Sequence, residues 1–150
     1  MDAIDRKILA ELQSDGRLTI TELAARVNLS VSPCHRRLRE LERIGAIAGY
    51  RAVVNPAALG LTFEALVFVT MRREDRDTLL GFEAGLAAIP NVLQAQRLFG
   101  DPDYLLRVVT TDLAAYQALQ DEQLSALPGV QRMTSTLVMK QVVADRSIPL

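Results

Sequence analysis

The sequence predicts an α+β fold in two parts: a three-helix unit, then an antiparallel sheet crossed by helices. Three observations carry this. Apolar residues recur at helical spacing up to Gly45, and capping signals punctuate them. From Leu61 onward, β-branched and aromatic runs alternate with helical stretches. The order of those segments is strand, helix, strand, strand, helix, strand.

The first helix is expected over Asp2 to Gln13. Asp2 supplies a cap, and Ile4, Ile8 and Leu12 form an apolar stripe widened by Leu9. Ser14-Asp15-Gly16 ends it. Thr19 and Glu22 have capping-box spacing, so a second helix starts there, with Ile20, Leu23, Ala24 and Val27 on one face. Asn28-Leu29-Ser30 breaks the pattern: Asn tolerates the left-handed conformation, and Ser30 is placed to cap the next helix. Pro33 falls in the first turn of that third helix, where its missing N–H costs little.

The third helix has two characters. Cys34, Leu38 and Leu41 point inward by spacing. Ser32, Arg36, Arg39 and Arg43 share another face, with His35 beside them and Arg37 between the faces. A solvated amphipathic helix, its arginines paired with Glu40 and Glu42, is one reading. A short capped helix across a tight turn, followed by a basic helix with small polar residues at its start, is the helix-turn-helix arrangement. Arginine makes bidentate contacts to guanine edges and phosphates. The residues expected at DNA are therefore Ser30, Ser32, His35, Arg36, Arg37 and Arg39. For Arg37, holding a phosphate and bracing the fold weigh equally, and Tyr50 packing on the linker outweighs a backbone contact by Tyr50 and Arg51.

The net charge of −1 conceals an asymmetry. Residues 1–60 hold nine basic and seven acidic residues, and residues 61–150 hold eight and eleven. Local placement, not the total, governs attraction to DNA. No apolar run approaches the ~20 residues of a membrane span, and the acidic start MDAIDRKIL lacks a signal-peptide layout. One Cys forms no internal disulfide, as suits a reducing cytoplasm, and with one His it makes no zinc site. No metal or cofactor is expected.

After Gly45, residues 46–54 look like an extended strand, a wing or connector, stopped by Asn55-Pro56. The domains are then expected at 1–46, a linker at 47–60, and 61–150. In the last of these, strands are expected over Glu64–Arg72, Val92–Phe99, Tyr104–Thr110 and Val130–Val143, with helices over Asp75–Ala88 and from Asp112 to Leu127. This is the ferredoxin-like split βαβ motif. Both helices of that motif cover one sheet face. Yet the first strand is apolar on both sides, Ala65, Val67 and Val69 alternating with Leu66 and Phe68, and the third is similar. An uncovered face should be polar, so a second copy is expected to cover it in a symmetric dimer.

A helix-turn-helix, an extended linker and a ferredoxin-like domain in this order resemble the leucine-responsive/asparagine-regulator (Lrp/AsnC) family of transcription regulators. The resemblance spans nearly the whole chain. It is carried by Asp5-Arg6-Lys7-Ile8-Leu9, Asp15-Gly16-Arg17, Leu29-Ser30-Val31-Ser32-Pro33-Cys34, Arg37-Leu38 with Leu41-Glu42, Gly45-Ala46-Ile47 with Gly49-Tyr50, Gly100-Asp101-Pro102-Asp103-Tyr104 and Leu127-Pro128-Gly129-Val130. The resemblance implies double-stranded DNA as partner, dimers assembling further, commonly to octamers, and an amino-acid effector bound by the second domain. Carried over residue by residue, the effector shell is Leu98, Gly100, Asp101, Asp103, Tyr104, Thr134, Ser135 and Thr136. Ser135 keeps a hydroxyl where many members have Thr, and Pro102 stiffens a loop that often lacks it. The chemistry fits: backbone N–H groups near Gly100 suit a carboxylate and Asp103 an ammonium. Gly100 to Asp103 also has the composition of a plain hairpin turn.

Two rival functions have discriminating features. Some sirohaem decarboxylases share a similar two-part architecture, but they need ionisable groups, commonly His, around a tetrapyrrole. Here the lone His35 sits on the basic helix. A stand-alone effector or assembly module would not need the complete helix-turn-helix.

Overall fold

The computed structural model describes residues 1–144 and 146–150. It divides into two compact units, Met1–Val54 with Val142–Leu150, and Asn55–Gln141. Among the described residues no helix is long and apolar enough to cross a membrane.

The first unit contains α1 (Ala3–Ser14), α2 (Ile20–Arg26) and α3 (Val31–Arg43). Both expected caps form reciprocally: Asp2 with Asp5 at α1, and Thr19 with Glu22 at α2. Asn28 adopts φ 58°, the left-handed turn that frees the chain to reverse into α3. Ser30 is the N-cap residue of α3, but its side chain makes no cap hydrogen bond, contrary to expectation. The core is Ile8, Leu23, Ala24, Val27, Cys34 and Leu41, ringed by Ile4, Leu9, Leu12, Leu38 and Ile47. All three helices contribute, because each has one apolar stripe and nothing else nearby to bury it against. The Cys34 thiol is fully buried, and desolvation raises its pKa, as for a small core hydrophobe rather than a reactive thiol.

The segment 46–54, expected as a strand, forms no ladder among the described residues. Its hydrophobic residues do not suffice to make a strand, because strand formation requires a neighbouring chain segment to satisfy its N–H and C=O groups. Tyr50 Oη donates to Glu42 Oε1 at 3.2 Å, which places that ring against the helical unit. The tail from Val142 groups with this unit. The Gln13 amide holds it, donating to the Ile148 carbonyl at 3.1 Å and accepting from the Ile148 N–H at 2.7 Å.

The second unit opens with a 3₁₀ turn (Pro56–Leu59), then runs β1 (Phe63–Met71), α4 (Arg76–Ala87), β2 (Val92–Arg97), β3 (Tyr104–Thr110), α5 (Leu113–Leu119) with a π-helical turn (Gln120–Leu124), and β4 (Val130–Leu137). The sheet order is β2-β3-β1-β4, all antiparallel. This is the ferredoxin-like arrangement expected. The last strand stops at Leu137, six residues short of Val143, because its ladder with β1 ends at Ala65↔Leu137. Asp75 and Asp112 cap α4 and α5.

The sheet's two faces differ as the alternation dictates. Ala65, Val67, Val69, Met71, Tyr104, Leu106 and Val108 join Leu79, Phe82, Leu86, Tyr116, Leu119 and Leu124 in the core. On the other face Leu66, Phe68 and Leu105 remain half-buried, beside a Glu64–Arg107 ion pair with both N···O distances at 2.9 Å. That pair and a hydrogen bond from Gln141 hold the Glu64 carboxyl below its usual pKa, against a desolvation that raises it.

Candidate DNA-reading helix and effector loop

On α3 the inward and outward faces separate cleanly. Cys34 and Leu41 are buried, whereas Ser30, Ser32, His35, Arg36, Arg39 and Arg43 are exposed. Arg43 is held by Glu40 through two hydrogen bonds, 2.7 and 2.6 Å, and Arg39 lies 3.2 Å from Glu42. These pairs lower the Glu40 carboxyl and raise the Arg43 guanidinium in pKa. Arg36 makes no ion pair or hydrogen bond among the described residues. It therefore presents an uncommitted guanidinium on the first half of the helix, one turn from Ser32.

Arg37 differs from the expectation that grouped it with the DNA-facing residues. Its Nη1 lies 2.7 Å from Asp2 Oδ2 and 2.8 Å from Asp5 Oδ1. Of the two roles weighed, this conformation is the bracing one. Sequence spacing placed Arg37 between faces but did not reveal the two carboxylates, which come from a different helix.

In the second unit the loop from Leu98 to Asp103 joins β2 to β3. Leu98 N–H donates to the Asp103 carbonyl at 2.7 Å, and Asp103 N–H donates to the Val69 carbonyl at 2.9 Å. The β1–β4 register shifts between Thr70 and Met71. The β1–β3 pairing ends at Val69↔Tyr104, so the Met71 N–H lies beyond that ladder, and the Asp103 carboxylate accepts it at 2.6 Å. Asp103 is thus fixed at one oxygen. Phe99, Gly100 and Asp101 are exposed, Gly100 at φ 141°, and among the described residues no hydrogen bond uses their backbone N–H groups. An exposed run of unspent donors beside a fixed carboxylate has the polarity that a zwitterion needs.

The remaining expected effector residues do not join this loop in one shell. Tyr104 is buried beneath α4, its ring centroid 4.8 Å from that of Phe82, its hydroxyl donating to Glu83 Oε1 at 2.7 Å. Burial first, then the Glu83 carboxylate, pushes its pKa up to about 12. It lines a cavity of about 470 Å³ between α4 and β2, with Glu83, Leu86, Val92 and Arg97. Ser135 pairs with Val67 and faces the helices, where its hydroxyl meets Tyr116 Oη. Thr134 and Thr136 pair with Phe68 and Leu66, so they lie on the opposite, open face. Expecting three consecutive hydroxyls to line one site overlooked the two-residue period of a strand. Tyr116, Glu83 and the Met71 N–H are contributors that spacing did not reveal. A tyrosine inside a helical apolar stripe was the available signal, since its buried hydroxyl requires a partner. Among the described residues no group of three or more His, Cys, Asp or Glu is gathered as a metal site.

The chain matches two family descriptions, "winged helix-turn-helix DNA-binding" over residues 1–48 and "Lrp/AsnC ligand binding domain" over residues 64–148. It is 43% identical over 142 residues to the leucine-responsive regulatory protein of Rhizobium meliloti, spanning 95% of this chain and 91% of that one. It is 40% identical over 147 residues to the proline dehydrogenase transcriptional activator of Rhodobacter capsulatus, spanning 98% and 96%. Its fold superposes on a Neisseria meningitidis transcriptional regulator solved as its L-Met complex with a TM-score of 0.94, at 38% identity, covering 99% and 96% of the two chains. With both halves matched in this order and with this identity over nearly the full length, the chain belongs to the Lrp/AsnC family of transcriptional regulators, DNA-binding helix-turn-helix first and ligand-binding domain second.

Proposed function

We propose that this regulator reads duplex DNA with the exposed face of α3, through Ser30, Ser32, His35, Arg36 and Arg39, and that an amino acid bound by the second unit tunes that binding. The observation that carries the DNA-facing assignment is the uncommitted Arg36 guanidinium, one turn into a helix whose opposite face is buried. The effector's carboxylate meets the free N–H groups of Phe99 to Asp101, and its ammonium meets Asp103. The L-Met complex of the Neisseria relative supports an amino acid as the class of ligand. Leu98, Thr134 and Thr136 complete the effector site only where another copy covers the open sheet face, and Tyr104 and Ser135 pack on the helix side.

The half-buried Leu66, Phe68 and Leu105 support a symmetric dimer through that face. Dimers assemble further, with an octamer the expected state. The protein works in the cytoplasm, where its DNA is. The named relatives are regulators, which favours this function over the sirohaem-decarboxylase alternative.

The test is fluorescence anisotropy of a labelled duplex from the DNA upstream of the protein's own gene, across a salt series, with and without each of a panel of amino acids. Affinity should fall steeply with salt, and one amino acid should shift it. Arg36→Ala should weaken binding roughly 5- to 150-fold, the range for one arginine at a base edge. Binding unchanged in Arg36→Ala would move the reading face off α3.

A further inference from the structure

The ion-paired arginine beside the reading face has a geometry that a phosphate ligand would not need. Arg37 Nη1 bridges Asp2 Oδ2 and Asp5 Oδ1 at 2.7 and 2.8 Å. The same two carboxylates build the capping box of α1: Asp2 N–H donates to Asp5 Oδ2 at 2.9 Å, and Asp5 N–H donates to Asp2 Oδ1 at 2.9 Å. Each carboxylate therefore gives one oxygen to the start of α1 and the other to Arg37. The Asp5 side chain is 17% exposed and that of Arg37 is 32% exposed. The middle of α3 is tied to the first turn of α1 by a closed ring of charge-assisted hydrogen bonds.

Two consequences follow from elementary electrostatics. With two carboxylates against one guanidinium, the cluster is net negative, so it has no excess positive charge to offer a phosphate. The Asp5 and Asp2 hydrogen bonds also raise the pKa of Arg37, and the Asp5 N–H, then Arg37, lowers that of Asp2. Arg36 is the next residue along, and its direction depends on how α3 is turned about its axis. The apolar contacts of Cys34 and Leu41 are non-directional and leave some freedom in that rotation. A guanidinium nitrogen hydrogen-bonded to two fixed carboxylate oxygens does not.

We propose that Arg37 is a positioning residue for DNA recognition: through Asp2 and Asp5 it fixes the rotation of α3 against α1, and it touches no phosphate itself. This rests on α3 being the reading helix. The sequence neighbours are thereby divided in role, Arg36 toward DNA and Arg37 toward the fold.

The experiment compares the parent with Arg37→Ala, Arg37→Lys, Asp2→Asn/Asp5→Asn and the triple combination. Each binds the upstream duplex and a random duplex of equal length across a salt series, and each is also melted thermally. Asparagine keeps one oxygen for each capping bond and has an NH2 in place of the other, so the hydrogen bonds and the charge pairing with Arg37 are removed together. Positioning predicts that Asp2→Asn/Asp5→Asn lowers affinity for the upstream duplex about tenfold, although it deletes two negative charges from a DNA-binding protein. It predicts the same loss in Arg37→Ala, no further loss in the triple variant, and partial recovery in Arg37→Lys. Random-duplex affinity and the salt slope should stay at the parent's values. A phosphate-contacting Arg37 predicts the reverse. Arg37→Ala would then reduce the slope by about one, and the Asp→Asn pair would free the arginine and tighten binding. A lowered melting temperature with unchanged affinity of the folded protein would also overturn the proposal, leaving a stabilising role alone. Arg36→Ala in the same series separates the two levels. If it leaves binding intact, the assignment of α3 as reading helix fails, whatever Arg37 does.

Discussion

Gly129→Ala tests the turn that delivers β4, and its cost follows from the surrounding atoms. Gly129 closes the Leu127-Pro128-Gly129 turn at φ 77°, and its carbonyl accepts the Arg72 N–H at 2.7 Å. A Cβ added there would lie 2.2 Å from Thr78 Cγ2 and 3.0 Å from Met71 Cε. The left-handed backbone costs alanine about 1–2 kcal/mol. Forcing a methyl against a branched side chain on a capped helix adds about 1–3 kcal/mol, since Thr78 is held by Asp75 through both its N–H and its hydroxyl. The Met71 methyl is the end of a flexible chain and gives way. The expected destabilisation is roughly 2–5 kcal/mol, a large part of a typical total. Urea unfolding followed by tyrosine fluorescence measures it, because Tyr104 and Tyr116 both lie in this unit. The midpoint should fall with little change in slope. Adding Thr78→Ser deletes Cγ2 but keeps the hydroxyl that donates to Asp75. It should return the steric part and leave the ~1–2 kcal/mol backbone part. A cost below ~1 kcal/mol, or a Thr78→Ser change that destabilises the Gly129→Ala protein further, would refute this account of the turn.

Two further expectations concern the effector unit. Tyr104 keeps its proton in the folded state up to about 12, against an ordinary value of 10.0. Between those pH values the unfolded chain has released the proton and the folded chain has not. Stability should therefore fall as pH rises through that window, and Tyr104→Phe should flatten this limb in a pH series of melting temperatures. Asp103→Asn keeps an acceptor for the Met71 N–H but loses the charge, so the amino-acid response should vanish while melting temperature and basal DNA binding hold. Asp103→Ala should lose the response and some stability as well. A full response in Asp103→Asn, read by the anisotropy assay, removes that carboxylate from the effector shell.

What was legible in the sequence was local. Thr19 with Glu22, Asn28, Asp75 and Asp112 act on backbone groups a few residues away, so spacing alone places the helix starts and the turn. The period change at Leu61 located the sheet domain for the same reason. What was not legible depends on residues distant in the chain. Spacing left Arg37 open between two roles, because the carboxylates that hold it are 32 and 35 residues away. The expected β4 is longer than the observed one because a strand lasts only as long as its pairing, which ends at Ala65↔Leu137, and not as long as its own hydrophobicity. Residues 46–54 have strand composition but no partner within the described chain. The expected effector shell comes from the family resemblance, which carries over positions and not the strand face each one takes. The alternation of a strand, which turns Ser135 one way and Thr134 and Thr136 the other, divides it.

The distribution of charge on α3 bears on how such a chain gains affinity for DNA. Arg43 and Arg39 face Glu40 and Glu42, and Arg37 faces Asp2 and Asp5. That leaves Arg36 as the one arginine of this helix with no acidic partner among the described residues. Exposed pairs of the i, i+3 kind are weakly held and exchange readily for a phosphate, so Arg39 and Arg43 are available at a small cost. The half-buried Arg37, held by two carboxylates, is not. One copy therefore offers few cations to a duplex, and the chain as a whole is net negative at −1. Counterion release scales with the number of phosphates neutralised, so a single copy gains little from it. Joining copies on one DNA adds these small contributions and makes each later contact intramolecular. This charge economy gives a physical reason for the proposed assembly independent of the apolar sheet face. It also explains how a small effector could control binding strongly: a ligand that shifts assembly changes how many weak contacts act together, without altering any one of them.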